Sequence, residues 1–219
     1  MRSYIHTAMI AALAIFAMLS SERDSVADDS ELLAEGARVY ATVAGLGCKT
    51  CHGEFAEGDL GVGPFIRGAS EGSIRAAIDA TNEMLVVKQS ITDSEVSAVA
   101  AYLRYLGTMQ VVRTLAKRGR FLPDQASVRP GTRIQLVVQN AGLDTHTFRS
   151  DNMGMADVVI PGRSAASREW LAPGEEGEFS LYCIDCKLDK QSLTLRVDKA
   201  AQEFVPGTPL NAPAAGSGM

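Results

Sequence analysis

The sequence predicts a multidomain chain in which an all-α domain is followed by an all-β Greek-key sandwich. Apolar residues recur at helical spacing from about residue 30 to Gly107, and downstream they alternate with polar residues. Pro-Gly pairs at 130–131, 161–162 and 173–174 separate the alternating runs, as turns separate the strands of a sandwich. We therefore predict a helical domain over 28–107 and a β-domain over 109–199.

The two ends of the chain are predicted to lie outside these domains. Residues 1–27 have the features of a secretory signal peptide, with Arg2 at the start, an apolar run from Ala8 to Leu19, and the small residues Ser25-Val26-Ala27 before a cleavage point. The apolar run is too short for a comfortable membrane span and no other stretch is long enough, so we expect no span in the mature chain. Residues 200–219, rich in Pro, Gly and Ala, are predicted to be a disordered tail.

The charge of the chain indicates no nucleic-acid partner. Its formal net charge is −5, and basic residues cluster locally only at Arg113, Lys117, Arg118 and Arg120. This cluster is interpreted either as a solvated strand face or as a docking patch for an acidic partner.

Two long helices and a short one are predicted in the first domain. Ser30 can cap the first helix, which should end near Gly45 and Gly47. Thr92 to Glu95 form a capping box that opens the last helix, which Gly107 ends. The apolar positions are Leu32, Gly36, Val39, Tyr40 and Val43 in the first helix, Val96, Val99, Ala100, Leu103 and Leu106 in the last, and Ile74, Ala77 and Ile78 in the short helix between them.

Cys48-Lys49-Thr50-Cys51-His52 has the C-x-x-C-H pattern by which c-type haem is attached. Cys48 and Cys51 are predicted to bind the haem vinyl groups covalently, and His52 to bind the iron. The competing interpretation is a redox dithiol that happens to precede a histidine.

The whole of this segment resembles a class I cytochrome c. In that family a glycine and an aromatic residue of the first helix cross the last helix, and Gly36 and Tyr40 occupy those places, with Tyr102-Leu103 matching the last helix. Gly63-Pro64-Phe65 resembles the turn that presents a carbonyl to the proximal histidine.

The resemblance further implies that Met84 is the distal haem ligand, because the family places a methionine just before its last helix. Leu85 departs from the family, which usually has proline there. The alternative is that Met84 is a core methionine, since Met often fills gaps in cores. A His52/Met84 pair would leave the iron six-coordinate, an arrangement that favours electron transfer over bond-making chemistry.

In the second domain, alternation predicts strands at Arg133–Asn140, Glu178–Cys183 and 193–197. The order of features resembles a cupredoxin. Asn140 to Phe148 looks like the segment that delivers the first copper histidine, here His146, and Phe179 to Cys183 looks like the strand that delivers the copper cysteine.

The chain departs from that family at the metal site. Blue copper uses two histidines and one cysteine, but Cys186 occupies the usual place of the second histidine. Three interpretations stay open: His146, Cys183 and Cys186 bind one copper, with Asp189, Met153 or Met155 as a further ligand; Cys183 and Cys186 form a disulfide in a metal-free domain; or the pair is a working redox dithiol.

The predicted function is periplasmic transfer of single electrons by a protein with one covalent haem c and an atypical copper site. The expected partners are redox proteins of the periplasm, and the chain is not expected to be an enzyme, although it could serve as an electron-transfer subunit of one. The alternatives are a Cu(I)-handling protein, or a cytochrome c with a metal-free docking sandwich.

Overall fold

The computed structural model describes residues 29–58, 62–118, 120–186 and 191–208. The predicted signal peptide, 1–27, lies outside these ranges, as does Asp189. None of the helices in the described ranges is both long and apolar enough to cross a membrane.

Short and long helices occupy the first half of the chain. In the described ranges they lie at residues 29–42 (α1), Lys49–His52 (α2), Glu71–Ala80 (α3), Leu85–Lys88 (α4) and Asp93–Gly107 (α5), with 3-10 turns at Val43–Gly45 and Asn82–Met84. The helices predicted near residues 30, 74 and 92 are thus confirmed. Ser30 lies inside α1 and is not its cap, because the helix has already begun at residue 29.

The capping box predicted for α5 is present. The Thr92 backbone N–H donates to the Glu95 carboxylate at 2.9 Å, and the Glu95 N–H donates to the Thr92 hydroxyl at 3.3 Å. These bonds satisfy backbone donors that the first turn of a helix leaves without partners.

Helices α1 and α5 cross at the predicted glycine. A Cβ at Gly36 would lie 2.1 Å from the Ala98 carbonyl oxygen, so only glycine permits this approach. Beside the crossing, the rings of Tyr40 and Tyr102 lie 5.7 Å apart. The core of this region consists of Val39, Tyr40, Val43, Ile78, Val96, Val99, Ala100 and Leu103.

Nine strands follow in the described ranges: Gln110–Lys117 (β1), Arg120–Leu122 (β2), Gln125–Val128 (β3), Arg133–Asn140 (β4), His146–Arg149 (β5), Val158–Ile160 (β6), Ser164–Leu171 (β7), Gly177–Cys183 (β8) and Ser192–Val197 (β9). They form two sheets, with strand orders β2-β1-β4-β7 and β3-β9-β8-β5-β6. Pairs β1·β4 and β3·β9 are parallel and the others antiparallel.

The two sheets enclose one core, which confirms the predicted sandwich. Both sheets contribute buried side chains to it, among them Val112, Ile134, Trp170, Phe148, Leu181 and Leu195. Across the core, the rings of Trp170 and Phe179 lie 4.9 Å apart and those of Phe121 and Phe148 5.8 Å apart. Cys183, at the end of β8, belongs to this core.

The described residues divide into two compact units. One contains the residues up to Cys48 together with Ser70–Leu103, and the other contains Lys49–Ala69 and the residues from Arg104 onward. The segment that follows Cys48 therefore groups with the sandwich.

Residues 200–208, predicted as the start of the disordered tail, are hydrogen-bonded to the second unit. The Arg129 side chain donates to the Ala201 carbonyl at 2.9 Å, and the Gly207 N–H donates to the Gly107 carbonyl at 3.2 Å. The rest of the predicted tail, 209–219, lies outside the described residues.

Candidate functional site

Cys183 and Cys186 are joined by a disulfide in this structure. Cys183 ends β8 with 7% of its surface exposed, whereas Cys186 is half-buried on the turn that follows. This state corresponds to the second of the three interpretations of the pair. A disulfide offers no thiolate, so it and a copper–thiolate site exclude each other at these residues.

The sheet register brings His146 to the disulfide. Strand β5 begins at His146 and lies beside β8, with Phe148 paired to Cys183. His146 Nδ1 lies 3.2 Å from Asp185 Oδ1, and the same carboxylate oxygen lies 3.3 Å from Cys183 Sγ. Donor atoms of His146, Cys183, Asp185 and Cys186 all lie within 4.8 Å of one another.

Asp185 was missed in the sequence analysis. The residue lies on the turn between the two cysteines, and its carboxylate accepts the Thr147 backbone N–H at 3.1 and 3.0 Å. Partial burial opposes its ionisation, but the hydrogen bonds from Thr147 and His146 outweigh burial and hold the pKa of Asp185 below its ordinary value. An acidic residue between two cysteines was a signal that could have identified it.

The further copper ligands considered from the sequence have different positions. Met153 is 5% exposed and lies in the sandwich core, and Met155 is partly buried against that core. Asp189 is outside the described residues.

A small pocket opens beside the disulfide. Its space for water-sized molecules is about 20 Å³, enough for one water or ion and too small for an organic ligand. The lining includes Arg118, Arg120, His146, Cys183 and Cys186. The Asn140 side chain fixes one wall by donating to the Asp144 and Ile160 carbonyls at 2.8 and 3.0 Å.

The C-x-x-C-H segment lies in and before helix α2. Cys48 and Cys51 are reduced thiols, the first half-buried and the second exposed. His52 Nδ1 lies 2.9 Å from the Pro64 carbonyl oxygen, which accepts the ring N–H, so the predicted contact between this turn and the histidine is confirmed. A Cβ at Gly63 would lie 2.3 Å from the Cys51 carbonyl oxygen, so glycine permits the turn to approach α2 this closely.

Arg67 connects this segment to the sandwich. Its guanidinium, 2% exposed, donates to the Phe55 carbonyl at 3.0 Å, to the Leu106 carbonyl at 2.6 Å and to the Gln135 side-chain oxygen at 2.5 Å. Arg113 of β1 adds a bond to the Gly58 carbonyl at 3.3 Å. Arg113 is thus engaged within the second unit and does not belong to an exposed basic cluster, in contrast to Lys117, Arg118 and Arg120.

Met84, the predicted distal haem ligand, is half-buried in the first unit. It ends the 3-10 turn Asn82–Met84 directly before α4, and its N–H donates to the Thr81 carbonyl at 3.0 Å. Leu85 and Val86, which follow it, are 52% and 54% exposed.

Comparison with known proteins finds one matching family model. Residues 96–193 match the model of the cupredoxin-like domain. None of the curated proteins compared with the chain matches it.

Solved structures similar to the chain have low sequence identity to it. The metal-binding domain of the Cu(I)-exporting P-type ATPase of Streptococcus pneumoniae D39 is 16% identical over 42% of this chain and 87% of its own, with a TM-score of 0.36. Amicyanin from Paracoccus versutus is 12% identical over 40% and 81%, with a TM-score of 0.32. A purple cupredoxin from Nitrosopumilus maritimus is 13% identical over 40% and 99%, with a TM-score of 0.30.

Proposed function

We propose that this chain is an exported electron-transfer protein in which a c-type haem accompanies the cupredoxin-like domain. Cys48 and Cys51 would hold the haem covalently, and His52 and Met84 would bind its iron. Export to the periplasm is expected from residues 1–27, and redox proteins of that compartment are the expected partners. The observation that carries this proposal is the hydrogen bond between His52 and Pro64.

The His52 ring is already oriented as a metal ligand requires. Pro64 occupies Nδ1 at 2.9 Å, which leaves Nε2 as the ring nitrogen for the iron. Metal-binding histidines ordinarily donate their second N–H to a carbonyl or carboxylate, which fixes both tautomer and ring angle. A redox dithiol has no need of this arrangement, so the contact favours haem attachment over that alternative.

Exposed apolar side chains in the first unit also favour a bound macrocycle. Leu46, Leu85 and Val86 are 65%, 52% and 54% exposed, and the last two directly follow Met84. Covering such side chains with a porphyrin face would remove apolar surface from water, which is favourable by about 25 cal/mol per Å².

When bound, the haem would supply one-electron exchange, and His52 and Met84 together would leave its iron no open position for another ligand. The residues of the chain then serve to attach the group, to fix the tautomer of His52 and to exclude other ligands. This division of roles suits an electron carrier and does not suit an enzyme.

Spectroscopy of protein matured in a periplasm with haem-attachment machinery tests the proposal. We expect one covalent haem, a low-spin reduced spectrum, and a weak near-infrared sulfur-to-iron band in the oxidised form. Met84→Ala should abolish that band and admit carbon monoxide, whereas Met155→Leu, in the sandwich, should leave both unchanged. Rapid binding of carbon monoxide by the unaltered protein would contradict Met84 ligation.

Copper handling is the second candidate, and the clustering of His146, Cys183, Asp185 and Cys186 favours it. Two thiolates and one imidazole form a soft donor set that biases a site toward Cu(I). Since thiolate ligation requires reduced cysteines, we expect about one copper per chain only after gentle reduction. Loss of that copper in both His146→Ala and Cys186→Ser would support the site, and no uptake by the reduced protein would exclude it.

A further inference from the structure

Basic side chains line the pocket beside the disulfide. Arg118, Arg120 and His146 line the same small pocket as Cys183 and Cys186, and both arginines are exposed. The pocket has room for a sulfur atom but not for a whole organic molecule. A small thiol entering it would therefore keep its other groups outside the pocket, near the exposed side chains of Arg118 and Arg120.

The two sulfur atoms differ in access. Both cysteines line the pocket, and the Asp185 carboxylate lies within 4.8 Å of both sulfur atoms, so its charge acts on a thiolate at either one. Cys183, however, is only 7% exposed, whereas Cys186 is half-buried. The sulfur of Cys186 is therefore the easier one for a thiolate to reach.

We propose that the Cys183–Cys186 pair is a thiol–disulfide exchange site for small anionic thiols. This inference goes beyond the proposed function, because it depends on the disulfide and its pocket and not on a haem or a copper ion.

The exchange balances with the thiol as the only reductant. A thiolate forms a bond to Cys186 Sγ as the Cys183–Cys186 bond breaks, and Cys183 leaves as a thiolate that takes a proton from water. A second thiolate of the same kind then attacks the sulfur of the bound thiol and releases Cys186 as a thiolate, which is protonated in turn. Two small thiols are oxidised to one disulfide, and the protein disulfide is reduced to two thiols.

Kinetics on the protein as isolated from a periplasm test the proposal. The probes are 3-mercaptopropionate, 2-mercaptoethanol and cysteamine, which carry negative, neutral and positive groups, compared at equal thiolate concentration. Acid quenching, alkylation and mass spectrometry count the protein thiols and locate mixed disulfides without relying on the haem spectrum. We expect two free thiols to appear per protein, at Cys183 and Cys186. They should appear fastest with the anionic thiol.

Charge variants test the role of Arg118 and Arg120 beside the pocket. Arg118→Gln and Arg120→Gln should each reduce the preference for the anionic over the neutral thiol, by about fivefold or less for exposed charges in water. Arg196→Gln, whose arginine pairs with Glu178 elsewhere on the sandwich, is the matched control and should not change it. Equal rates for the three thiols, or a preference that both pocket variants retain, would overturn the anionic specificity.

Single-cysteine variants test which sulfur is attacked. In Cys183→Ser the remaining Cys186 should form a mixed disulfide with the oxidised probe at least tenfold faster than Cys183 does in Cys186→Ser. Equal rates would refute the proposed route. Isolation of the unaltered protein with both cysteines reduced, or a disulfide that resists all three thiols while the haem spectrum is normal, would overturn the exchange site and leave the haem proposal intact.

Discussion

Gly63 is the residue on which the turn beside His52 depends most directly. A Cβ placed there would lie 2.3 Å from the Cys51 carbonyl oxygen, and backbone atoms cannot rotate away as a side chain can. We expect Gly63→Ala to lower the free energy of unfolding by about 1–3 kcal/mol, the usual effect of overpacking, and to reduce the yield of covalent haem. Chemical denaturation and a haem assay measure the two effects.

Gly72 provides the matched control for this substitution. It lies in α3, and a Cβ there would have nothing within 4 Å. Gly72→Ala should be neutral or stabilise the protein by about 0.5–1 kcal/mol, because alanine loses less backbone entropy in a helix. An equal loss of stability in both variants would contradict the steric explanation.

Arg67 is the second residue with a large expected effect. Arg67→Ala would leave the Phe55 and Leu106 carbonyls and the Gln135 side chain without their buried donor. Each buried acceptor left without a donor costs about 1–3 kcal/mol. We therefore expect the free energy of unfolding, measured in denaturant, to fall by about 3 kcal/mol or more. Arg104→Ala, at an exposed position of α5, should change stability by less than about 0.5 kcal/mol.

Gly63 and Arg67 differ in how far they could be predicted from the sequence. The Gly63-Pro64 turn could be placed against His52 from its resemblance to a family, and the contact is present. Arg67 carries no comparable signal, because its acceptors are mostly backbone carbonyls, which exist at every position. Asp185 was missed for a similar reason: its role depends on a turn that brings its carboxylate beside Cys183 and His146.

Among the secondary-structure elements, α5, β4 and β7 are joined by one polar cluster. The Arg133 guanidinium donates to the Glu169 carboxylate at 2.6 Å, and the Tyr105 hydroxyl donates to the same carboxylate. Partial burial raises the pKa of Glu169, but the bonds from Tyr105 and Arg133 outweigh it and lower that pKa overall.

The sign of the resulting pH dependence follows from proton binding. Unfolded Glu169 binds a proton at higher pH than folded Glu169, so the stabilisation is complete above its ordinary pKa and is lost as pH falls through the folded value. We expect Glu169→Gln to be less stable by about 0.5 kcal/mol at pH 7, since the pair is partly exposed. That difference should shrink below about pH 4.5.

Thermal unfolding across pH measures this effect. Glu178→Gln is the control, because Glu178 pairs with Arg196 at a more exposed position without a tyrosine. Glu178→Gln should leave the free energy of unfolding almost unchanged at all pH values. The stability of Glu169→Gln is compared with that of the unaltered protein at each pH. If the difference is the same at pH 7 and pH 3, packing and not charge is responsible for it.

Strands with regular alternation could be predicted from the residues alone. Strand β4 has the predicted bounds, and its central residues are buried. Strand β1 was considered only through its basic residues and not predicted from alternation, because its buried face includes Gln110 and Thr114, so burial alternates while hydrophobicity does not. Strand β7 escaped for another reason, since Trp170 is the buried residue among its eight.

At the scale of the molecule, the sandwich should withstand loss of its disulfide. The bond spans a sequence separation of 3, and closing so short a loop stabilises a fold by about 2 kcal/mol or less. The shared core of the two sheets is much larger than this contribution. We therefore expect the reduced protein to remain folded at 25 °C, with a small decrease in the denaturant midpoint.

Denaturation with and without reductant, beside a Cys183→Ala/Cys186→Ala variant, measures this decrease. The reduced protein and the double variant should unfold at similar midpoints. Cooperative unfolding upon reduction alone would contradict the expectation.

The bonds of Arg67 have a consequence for biogenesis. If the chain is exported as proposed, it emerges from its N-terminus, and Cys48-Lys49-Thr50-Cys51-His52 then arrives before the later residues that Arg67 contacts. Arg67 bonds to residues 39, 42 and 68 positions further along, at Leu106, Met109 and Gln135. Contacts of such separation form later than local helices. Under the proposed export and haem attachment, we expect a window during translocation in which Cys48 and Cys51 are accessible to a haem-loading enzyme, and this window should close when β4 has arrived and folded.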